Sequence, residues 1–492
     1  MRWFRNLFGE TQKEPIYLYN TLHATREQFR PLSGNRVKMY NCGPTVYGPQ
    51  HIGNYSMFVF VDTLRRVLEY NGYKLKQVIN FTDIGHLTGD NEGDADAGED
   101  RMTRGLEREG LALTLENMRA MGERYGALFL ADLKKLNIEI TGVSFPRASD
   151  YIAAQIAMAK TLEEKGYAYP ASKGVYFDTS RFSAYGELGN INLAGLRSGA
   201  RIAVDQEKKN PTDFLLWKFD KKMGWESPWG KGFPGWHLEC SAIARAILGE
   251  QLDIHTGGIE HIPIHHNNEI AQSESATGRK PFSRFWLHRA HLQIEGAKIA
   301  KSVGNTIYLA ELEERGFSPL SFRYLLLGAH YRTAANFTWE ALKGAQSALD
   351  RLYNLYAIFA SEQTARHTQH SGSYERSFLK AVNDDLDTPA ALAIMWEMLR
   401  DESVSTAEKL GMLDSFDRVF GLNIAEGSKT HRGVDATELP ADAAALLQER
   451  EDMRKNKMWD KADQLRREIE GMGFALEDTS DGPRISKIEK RL

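Results

Sequence analysis

The amino-acid sequence predicts an α/β protein whose parallel sheet is split by an insertion and followed by helices to the C-terminus. The first observation is a βαβ pattern, formed by RVKMYNC, a helical stretch over residues 52–72, and KLKQVINFTDI. The second is that a strand and helix pattern resumes at Gly235, after a Gly- and Trp-rich stretch. The third is that helical periodicity dominates from Tyr308 onward. Because a parallel sheet binds ligands at the carboxyl ends of its strands, we expect the functional residues there.

Composition agrees with a large globular protein. The 492 residues exceed one ordinary core, so we expect about two to four domains. A content of 42% hydrophobic and 26% charged residues is typical of soluble chains. The net charge of −4 neither requires nor excludes a nucleic-acid partner. Two cysteines exclude a disulfide scaffold and indicate a reducing compartment.

The sequence shows neither a membrane span nor a targeting segment. No apolar stretch approaches the length of a transmembrane helix, and charges interrupt the short apolar run of MRWFRNLFGETQKE. We therefore expect a cytoplasmic protein without a membrane partner.

The turn before the first long helix predicts an anion site. His51, Gly53 and Asn54 stand where the loop meets the helix. Free N–H groups and the positive end of the helix dipole favour an anion there, and Gly53 lets a phosphate approach the backbone.

The remaining elements follow in order. An acidic, Gly-rich stretch over residues 89–100 predicts a mobile loop. Amphipathic helices are expected over residues 113–136 and 149–166, and strand-like GVYFDT and DFLLWKF lie within the insertion. In the helical half we expect linkers over residues 361–373 and 425–439, followed by two more helices in the tail.

The stretch GWHLECSAIARAILGEQLDIHTGGIEHIPIHHNNE carries metal-ligating chemistry. His265 and Glu269 are four residues apart, so a helix over HHNNEIAQSESA puts them on one face. With Cys240 and the distant Cys42 they form a sufficient set for four-coordinate Zn²⁺. The spacing alone is weak among 14 histidines, and on local pattern a solvated helix pair explains it better.

Other polar residues nearby have ordinary explanations. We expect His255 and His261 to be turn histidines, and His266 to point away from the ligand face. Lys298 and Lys301 lie in EGAKIAKSVGN, which predicts a flexible cationic loop; a solvated surface pair is the common alternative.

Six motifs in a fixed order resemble the cysteinyl-tRNA synthetases, a family of class I aminoacyl-tRNA synthetases. They are CGPTVY, HIGN, GWHLEC, HHNNEIAQ, KIAKS and NDDLDTP, and the resemblance extends from about residue 17 to the C-terminus. Each motif is weak, whereas the ordered set is highly specific. The family implies a Rossmann-type catalytic domain that activates L-cysteine with ATP to cysteinyl-adenylate and transfers it to the 3′ end of tRNA(Cys).

The resemblance implies site residues for the amino acid and the metal. The implied zinc ligands, for one ion per chain, are Cys42, Cys240, His265 and Glu269. The implied amino-acid pocket contains Cys42, Thr82, Trp236, Cys240 and His265.

It also implies residues for ATP, which binds with Mg²⁺, and for the anticodon. The implied catalytic residues are His51, Asn54, Lys298 and Lys301. The implied ATP contacts are Pro44, His51, Gly53, Asn54, Glu260, Lys298, Lys301 and Ser302. The implied anticodon contacts are Arg454, Trp459, Asp463 and Asp478; Trp459 as a core anchor between the last two helices is the alternative. We expect a monomer that binds no DNA.

The implied domains follow the motif order. They are an N-terminal extension (1–34), a first catalytic half (35–110), a connective insertion (111–234), a second catalytic half (235–310), an all-α stem-contact region (311–373) and a helical anticodon-binding domain (374–492).

This sequence departs from the family pattern at four positions. Asn54 replaces the last His of the HIGH signature, and Ile299 and Ala300 replace Met and Ser of the KMSKS loop. Glu260 stands where the family has an Asp. We expect Asn54 to weaken transition-state binding without abolishing activity, because it still donates a hydrogen bond but carries no charge.

Zinc at the pocket floor explains selectivity. A pocket built on shape separates cysteine from serine by only about 1–3 kcal/mol, whereas Zn²⁺ prefers a thiolate to a neutral hydroxyl. Four protein ligands normally close a zinc site, so substrate binding requires a fifth position or the loosening of Glu269 or His265. A closed structural zinc is the alternative.

Two other functions fit part of the sequence. One is a zinc-dependent ligase that gives cysteine to an amino-sugar, as the mycothiol ligases do, which leaves the long C-terminal region unexplained. The other is a non-catalytic tRNA-binding relative, against which both lysines and the complete ligand set argue.

Overall fold

The computed structural model describes residues 14–84, 100–191, 207–298, 305–361, 372–431, 433–434, 439–479 and 482–487. The chain forms two compact units. One consists of Met1–Leu309, Ala329–Phe337 and Ala381–Asp387, and the other of Ala310–Gly328, Thr338–Lys380 and Thr388–Leu492. Among the described residues, no helix combines the length and the apolar character that crossing a bilayer requires.

The described strands are β1 (Tyr17–Asn20), β2 (Thr25–Gln28), β3 (Arg36–Asn41), β4 (Lys74–Ile79), β5 (Val143–Ser144), β6 (Ala168–Pro170), β7 (Gly174–Phe177), β8 (Phe214–Phe219), β9 (Gly232–Pro234), β10 (Leu252–Gly258), β11 (Ser283–Arg289), β12 (Leu292–Ile294), β13 (Ala297–Lys298), β14 (Ala335–Phe337), β15 (Gly433–Val434), β16 (Phe474–Thr479) and β17 (Gly482–Lys487).

The described α-helices are α1 (Ile52–Tyr70), α2 (Arg101–Arg108), α3 (Leu115–Lys135), α4 (Ile152–Glu164), α5 (Trp236–Leu248), α6 (Asn267–Thr277), α7 (Leu309–Glu314), α8 (Pro319–Leu327), α9 (Trp339–Ser361), α10 (Gly372–Asn383), α11 (Thr388–Arg400), α12 (Thr406–Phe420), α13 (Ile424–Gly427), α14 (Ala441–Lys455) and α15 (Trp459–Gly471).

The centre of the first unit is a five-stranded parallel sheet in the order β11-β10-β3-β4-β5. The predicted βαβ unit is confirmed, since β3 and β4 run parallel and α1 connects them. The strand order reverses between β3 and β10, so their carboxyl ends border the crevice where such sheets bind ligands. The fifth strand, β5, lies inside the segment that we predicted as the connective insertion.

The α1 helix carries the predicted phosphate-binding turn at its start. His51 is the N-cap residue, and its Nδ1 atom accepts from the backbone N–H of Asn54 at 3.3 Å. The Asn54 side chain in turn accepts from the backbone N–H of His51 at 3.2 Å, which completes a capping box. The helix ends before Gly72, whose φ of +85° suits glycine.

The insertion contains a four-stranded antiparallel sheet in the order β6-β7-β8-β9. The predicted strands GVYFDT and DFLLWKF form β7 and β8, where Phe177 and Phe214 stack with centroids 5.0 Å apart. These rings share one hydrophobic core with α4 and α5. Burial of this core holds the insertion against the second half of the parallel sheet.

The second unit consists mainly of helices, as predicted. Its core includes the stacked rings of Phe378 and Phe416, with centroids 4.0 Å apart. The predicted linker over residues 425–439 is wrong at its beginning, because α13 extends to Gly427. The mobile loop predicted over residues 89–100 and the linker over residues 361–373 lie mostly outside the described residues.

The C-terminal segment adds a sheet to the two predicted helices. The α14 and α15 helices are followed by an antiparallel sheet in the order β15-β17-β16. Its buried side chains include Phe474, Leu476 and Ile485. The two-residue spacing of Phe474 and Leu476 was the available signal for a strand, and the helical pattern of α14 and α15 before it obscured that signal.

Candidate active site and metal centre

The site begins where β3 ends. The backbone N–H of Cys42 donates to the carbonyl of Thr256 on β10 at 3.2 Å, so the cysteine directly follows the ladder between the two strands. The next residue is Gly43, where a Cβ atom would lie 1.6 Å from the carbonyl oxygen of Asn80. Only glycine allows the two backbones to approach this closely, and this close approach holds Cys42 at the crevice.

The second part of the site is the turn into α6. Residues Ile262–His266 form a π-helical turn that precedes the helix. His265 Nε2 lies 2.9 Å from Glu269 Oε1, and both side chains are fully buried. The predicted meeting of these residues on one face is confirmed.

The ligating atoms of Cys42, His265, His266 and Glu269 lie within 4.8 Å of one another. Cys42 Sγ is 3.3 Å from His266 Nε2 and 3.8 Å from Glu269 Oε1. Ligands bound to one tetrahedral zinc lie roughly 3.3–3.8 Å apart, so these spacings fit a single ion. Thiolate, imidazole and carboxylate are the donors that zinc accepts.

Cys240, the fourth predicted ligand, borders this cluster. Its buried thiol lies on the second turn of α5 and donates to Asn80 Oδ1 at 3.8 Å. Cys42 and His265 are the neighbours that lower its pKa. His266 was predicted to point away and instead faces Cys42, so that prediction is wrong. The π turn causes the difference, because it turns two consecutive residues toward the site.

Buried partners hold these groups in place. His255 is not a turn residue as predicted but lies within β10, where its Nε2 is 2.9 Å from Glu269 Oε2. His266 Nδ1 lies 2.7 Å from His288 Nε2, and His265 Nδ1 lies 2.8 Å from His237 Nδ1. Such outer partners orient metal-binding side chains.

The electrostatics differ among the proposed ligands: the pKa values of Cys240 and Glu269 are lowered, whereas that of Cys42 is raised and Glu269 helps to raise that of His265 to about 10 against the effect of burial. The hydrogen bond from the Cys42 thiol lowers the pKa of Cys240 to about 6, whereas burial raises the pKa of Cys42. Burial opposes ionisation of Glu269, but His255 and His265 lower its pKa. The Nε2 atom of His265 makes no well-directed hydrogen bond although it is buried. Buried nitrogen, carboxylate and thiol atoms that converge within 4.8 Å of one another fit a bound cation.

The predicted amino-acid pocket adjoins the cluster. The Trp236 ring stacks on His265 with centroids 4.1 Å apart. The Thr82 hydroxyl donates to Glu239 Oε2 at 3.0 Å, and both residues are buried. Sequence reasoning did not single out Glu239, although it directly precedes Cys240 in GWHLEC.

The predicted ATP residues are partly described. Pro44 is buried, and its carbonyl accepts from the Thr82 N–H at 3.1 Å. Glu260 belongs to the short helix after β10, and its Oε2 atom lies 3.6 Å from His291 Nδ1. The backbone of Lys298 ends β13, while Lys301 and Ser302 lie outside the described residues, as do Ile299 and Ala300.

The predicted anticodon residues lie at the C-terminal end of the second unit. Trp459 is 56% exposed at the start of α15, so the alternative of a core anchor is wrong. Asp463 is also exposed. Asp478 pairs with Arg454 and, at 2.8 Å, with the buried Arg450.

One further residue near the crevice escaped sequence reasoning. Arg289 ends β11 and is almost completely buried, with its Nε donating to the Ser56 hydroxyl at 3.1 Å. An arginine that closes a strand containing the apolar run Phe285–Leu287 was the available signal.

Comparison with known proteins agrees with these features. Residues 28–347 match the class I (C) tRNA synthetase catalytic domain, and residues 436–483 match the cysteinyl-tRNA ligase anticodon binding domain. The cysteine–tRNA ligase 1 of Burkholderia lata is 42% identical over 477 residues, covering 96% of this chain and 97% of that protein. A cysteine–tRNA ligase of Treponema denticola is 38% identical over 491 residues, covering 94% and 98%.

Among solved structures, a methionyl-tRNA synthetase of Mycobacterium tuberculosis in complex with methionyl-adenylate has a similar fold. Its TM-score is 0.55 at 13% identity, covering 80% of this chain and 90% of that chain. At this identity the likeness concerns the fold alone.

Proposed function

The chain belongs to the class I cysteinyl-tRNA synthetases and ligates cysteine to tRNA with ATP, and we propose that its buried Cys–His–Glu cluster selects the amino acid by its thiol. The observation that carries the proposal is the convergence of thiol, imidazole and carboxylate at the carboxyl ends of β3 and β10.

The proposed ligands of one zinc ion are Cys42, Cys240, His265 and Glu269. His255 holds Oε2 of Glu269, which leaves Oε1 to face the cluster. His266 is the other candidate for the fourth ligand, since its Nε2 lies 3.3 Å from the sulfur of Cys42; we assign it to the outer sphere because the family pattern places Cys240 in the ligand set. When bound there, zinc takes a thiol as thiolate and prefers its soft sulfur to a neutral hydroxyl.

The walls of the pocket exclude water and position the substrate. Trp236 covers the imidazole of His265 on one side. The Thr82 hydroxyl donates to the buried Glu239 carboxylate and its backbone N–H donates to the carbonyl of Pro44, so two hydrogen bonds fix its position. We assign these residues to the amino-acid pocket.

Adenylate formation requires positioning and charge neutralisation. The cysteine carboxylate is ionised at neutral pH, so its attack on the α-phosphorus needs no general base. His51, Gly53 and the N-terminus of α1 are proposed to bind the phosphates, together with Lys298, Lys301 and Mg²⁺. Glu260 is proposed to contact the ribose.

The tRNA contacts are proposed for the C-terminal end of the second unit. An exposed tryptophan surrounded by basic residues is the combination that binds unpaired bases. Trp459, Asp463, Arg454 and Asp478 are the proposed anticodon contacts. The match of residues 436–483 to an anticodon binding domain supports tRNA as the acceptor and leaves the amino-sugar ligase without support.

The proposal is tested by the amino-acid dependence of ATP–pyrophosphate exchange. The full-length, zinc-loaded protein should exchange with cysteine and not with serine, and Cys42→Ser should lose the exchange together with the metal. Exchange at wild-type rate in a metal-free Cys42→Ser protein would exclude the metal pocket. Charging of purified tRNA separates a synthetase from a ligase with a small acceptor.

A further inference from the structure

Arg289 is a buried cation at the carboxyl edge of the parallel sheet. It is the last residue of β11, it pairs in register with Gly258 at the end of β10, and only 5% of it is exposed. Its Nε donates to the hydroxyl of Ser56, and no carboxylate of the described residues pairs with it. Burying a charge without a counter-charge is costly, which indicates that an anion occupies the position during function.

The guanidinium lies beside the start of α1. Ser56 belongs to the second turn of this helix, and its hydroxyl donates to the carbonyl of Gly53 in the first turn at 2.7 Å. At this N-terminus the N–H of Ile52 donates to the carbonyl of Ile307 and that of Asn54 to His51, whereas the described residues offer no acceptor to the N–H of Gly53. The N–H of Gly53 and the partial positive charge of the helix therefore favour an anion. Arg289 therefore adds a full charge to a surface that already favours an anion.

The side chains of the two residues at the helix start are engaged in the capping box. His51 Nδ1 accepts from the N–H of Asn54 at 3.3 Å. Asn54 stands where the HIGH signature has a charged histidine, and its side chain is engaged in the capping box. Burial lowers the pKa of Arg289 only to about 10, so its guanidinium stays charged at neutral pH.

We propose that Arg289 binds the α-phosphate of ATP and of the aminoacyl-adenylate, and thereby supplies the positive charge that Asn54 lacks. This inference rests on the proposed nucleotide site. The strand β10 leads directly into Glu260, the proposed ribose contact, and Glu260 lies near His291, two residues after Arg289. The phosphate next to the ribose is the α-phosphate, which selects it among the three.

The guanidinium acts at the reacting phosphorus. A carboxylate oxygen of cysteine forms a bond to the α-phosphorus, and the bond from that phosphorus to the bridging oxygen of pyrophosphate breaks. Pyrophosphate leaves with the electron pair, and no proton is transferred. The non-bridging oxygens of the α-phosphate carry charge throughout, and two Nη groups of Arg289 have no partner among the described residues. These donors stabilise that charge in the transition state.

The kinetic test compares Arg289→Gln and Arg289→Lys in the full-length, zinc-loaded protein. In cysteine-dependent ATP–pyrophosphate exchange, Arg289→Gln should lower kcat by roughly 10²-fold. Arg289→Lys should recover part of that loss, because it keeps the charge without the planar fork. The matched control is Arg65→Gln, which removes a buried arginine of α1 that is bonded to Glu69 and Gln77. This control should change stability and leave the ATP kinetics unchanged.

Binding of AMP and of adenosine, measured by calorimetry, locates the contact. Arg289→Gln should lower the affinity for AMP about 10-fold and leave the affinity for adenosine unchanged. Equal weakening of AMP and adenosine would assign Arg289 to the base pocket or to the fold and overturn the proposal. Wild-type affinity for AMP in Arg289→Gln would also overturn the proposal, as would a loss of affinity for cysteine alone.

A second variant separates a structural role from the proposed one. Because an unpaired buried charge destabilises a protein, Arg289→Met should keep or raise the melting temperature. The same substitution should lower the affinity for AMP. A lower melting temperature with unchanged AMP affinity would show that Arg289 serves the fold. If the wild-type protein showed no exchange with cysteine, the proposed function would fail; if it exchanged and Arg289→Gln equalled it, only this inference would fail.

Discussion

At the scale of single residues, the candidate metal centre is defined by the partners behind its ligands. Glu269 is held between His255 and His265, at 2.9 Å from each. His266 lies between Cys42 and His288. A neutral imidazole has one donor and one acceptor nitrogen, so a Cys42 thiolate requires His266 to carry its proton on Nε2 and to accept from His288 at Nδ1. The buried network thereby sets the tautomer that faces the sulfur.

Metal affinity distinguishes a ligand from an outer partner. Cys240→Ser should lower zinc affinity by more than about 10²-fold, because a ligand is lost. His266→Gln should lower it less, by roughly 10–100-fold, because a hydrogen bond to a ligand is lost. Competition with a chromophoric chelator measures both.

The control for this comparison is His23→Gln, since His23 is exposed and lies outside the cluster. If His266→Gln proved the more damaging substitution, His266 would be the fourth ligand in place of Cys240.

At the scale of elements, α1 and its cap connect the fold to the nucleotide. The helix is buried around most of its circumference, and its Tyr55 stacks on Phe129 of α3 and donates to Asp132 at 2.7 Å. The capping box of His51 and Asn54 sets where its first turn begins. The same side chains therefore stabilise the helix and determine which N–H groups remain free.

Substitution of Asn54 tests the cap. Asn54→Ala should lower the free energy of unfolding by about 0.5–2 kcal/mol, because the N–H of His51 loses its acceptor. Asn54→Asp keeps an acceptor at this position and should be close to the wild type in stability. Urea denaturation of the two variants measures the difference, and equal loss in both would contradict a role for the cap.

The start of α15 presents the proposed base-stacking residue. Trp459→Ala should weaken the binding of tRNA by about 1–3 kcal/mol, measured as a higher KM for tRNA. It should leave ATP–pyrophosphate exchange unchanged. Met458→Ala, which truncates the exposed neighbouring side chain, is the control. An equal effect of the two substitutions on tRNA would remove the stacking role, and damage to exchange would indicate a role in the fold.

At the scale of the whole molecule, one cluster joins the two halves of the catalytic sheet. Cys42 follows β3 in the first half, whereas Cys240, His265 and Glu269 come from the second half, after the insertion. A metal ion held by all four proposed ligands would cross-link the two halves. Since an unfolded chain does not preform such a site, binding of that ion would also stabilise the fold.

Removal of the metal should therefore affect stability and activity together. Dialysis against a strong chelator should lower the melting temperature and abolish cysteine-dependent exchange, and added zinc should restore both. Elemental analysis before and after dialysis supplies the stoichiometry, expected to be one ion per chain. Full exchange activity in metal-free protein would contradict the proposed selection of the thiol.

The sequence by itself determined the parallel α/β half, the helical half and the pairing of His265 with Glu269, because periodicity and helical spacing are local properties. The motif order also identified the ligand candidates. Only the tertiary structure decided that His255 and His266 face the cluster, because β10 and a π turn carry them there.

The same is true of Arg289, since only the folded structure shows that its described neighbours offer the hydroxyl of Ser56 and no carboxylate. Burial, the absence of a partner and the proximity of distant segments result from packing, which no local pattern in the sequence records.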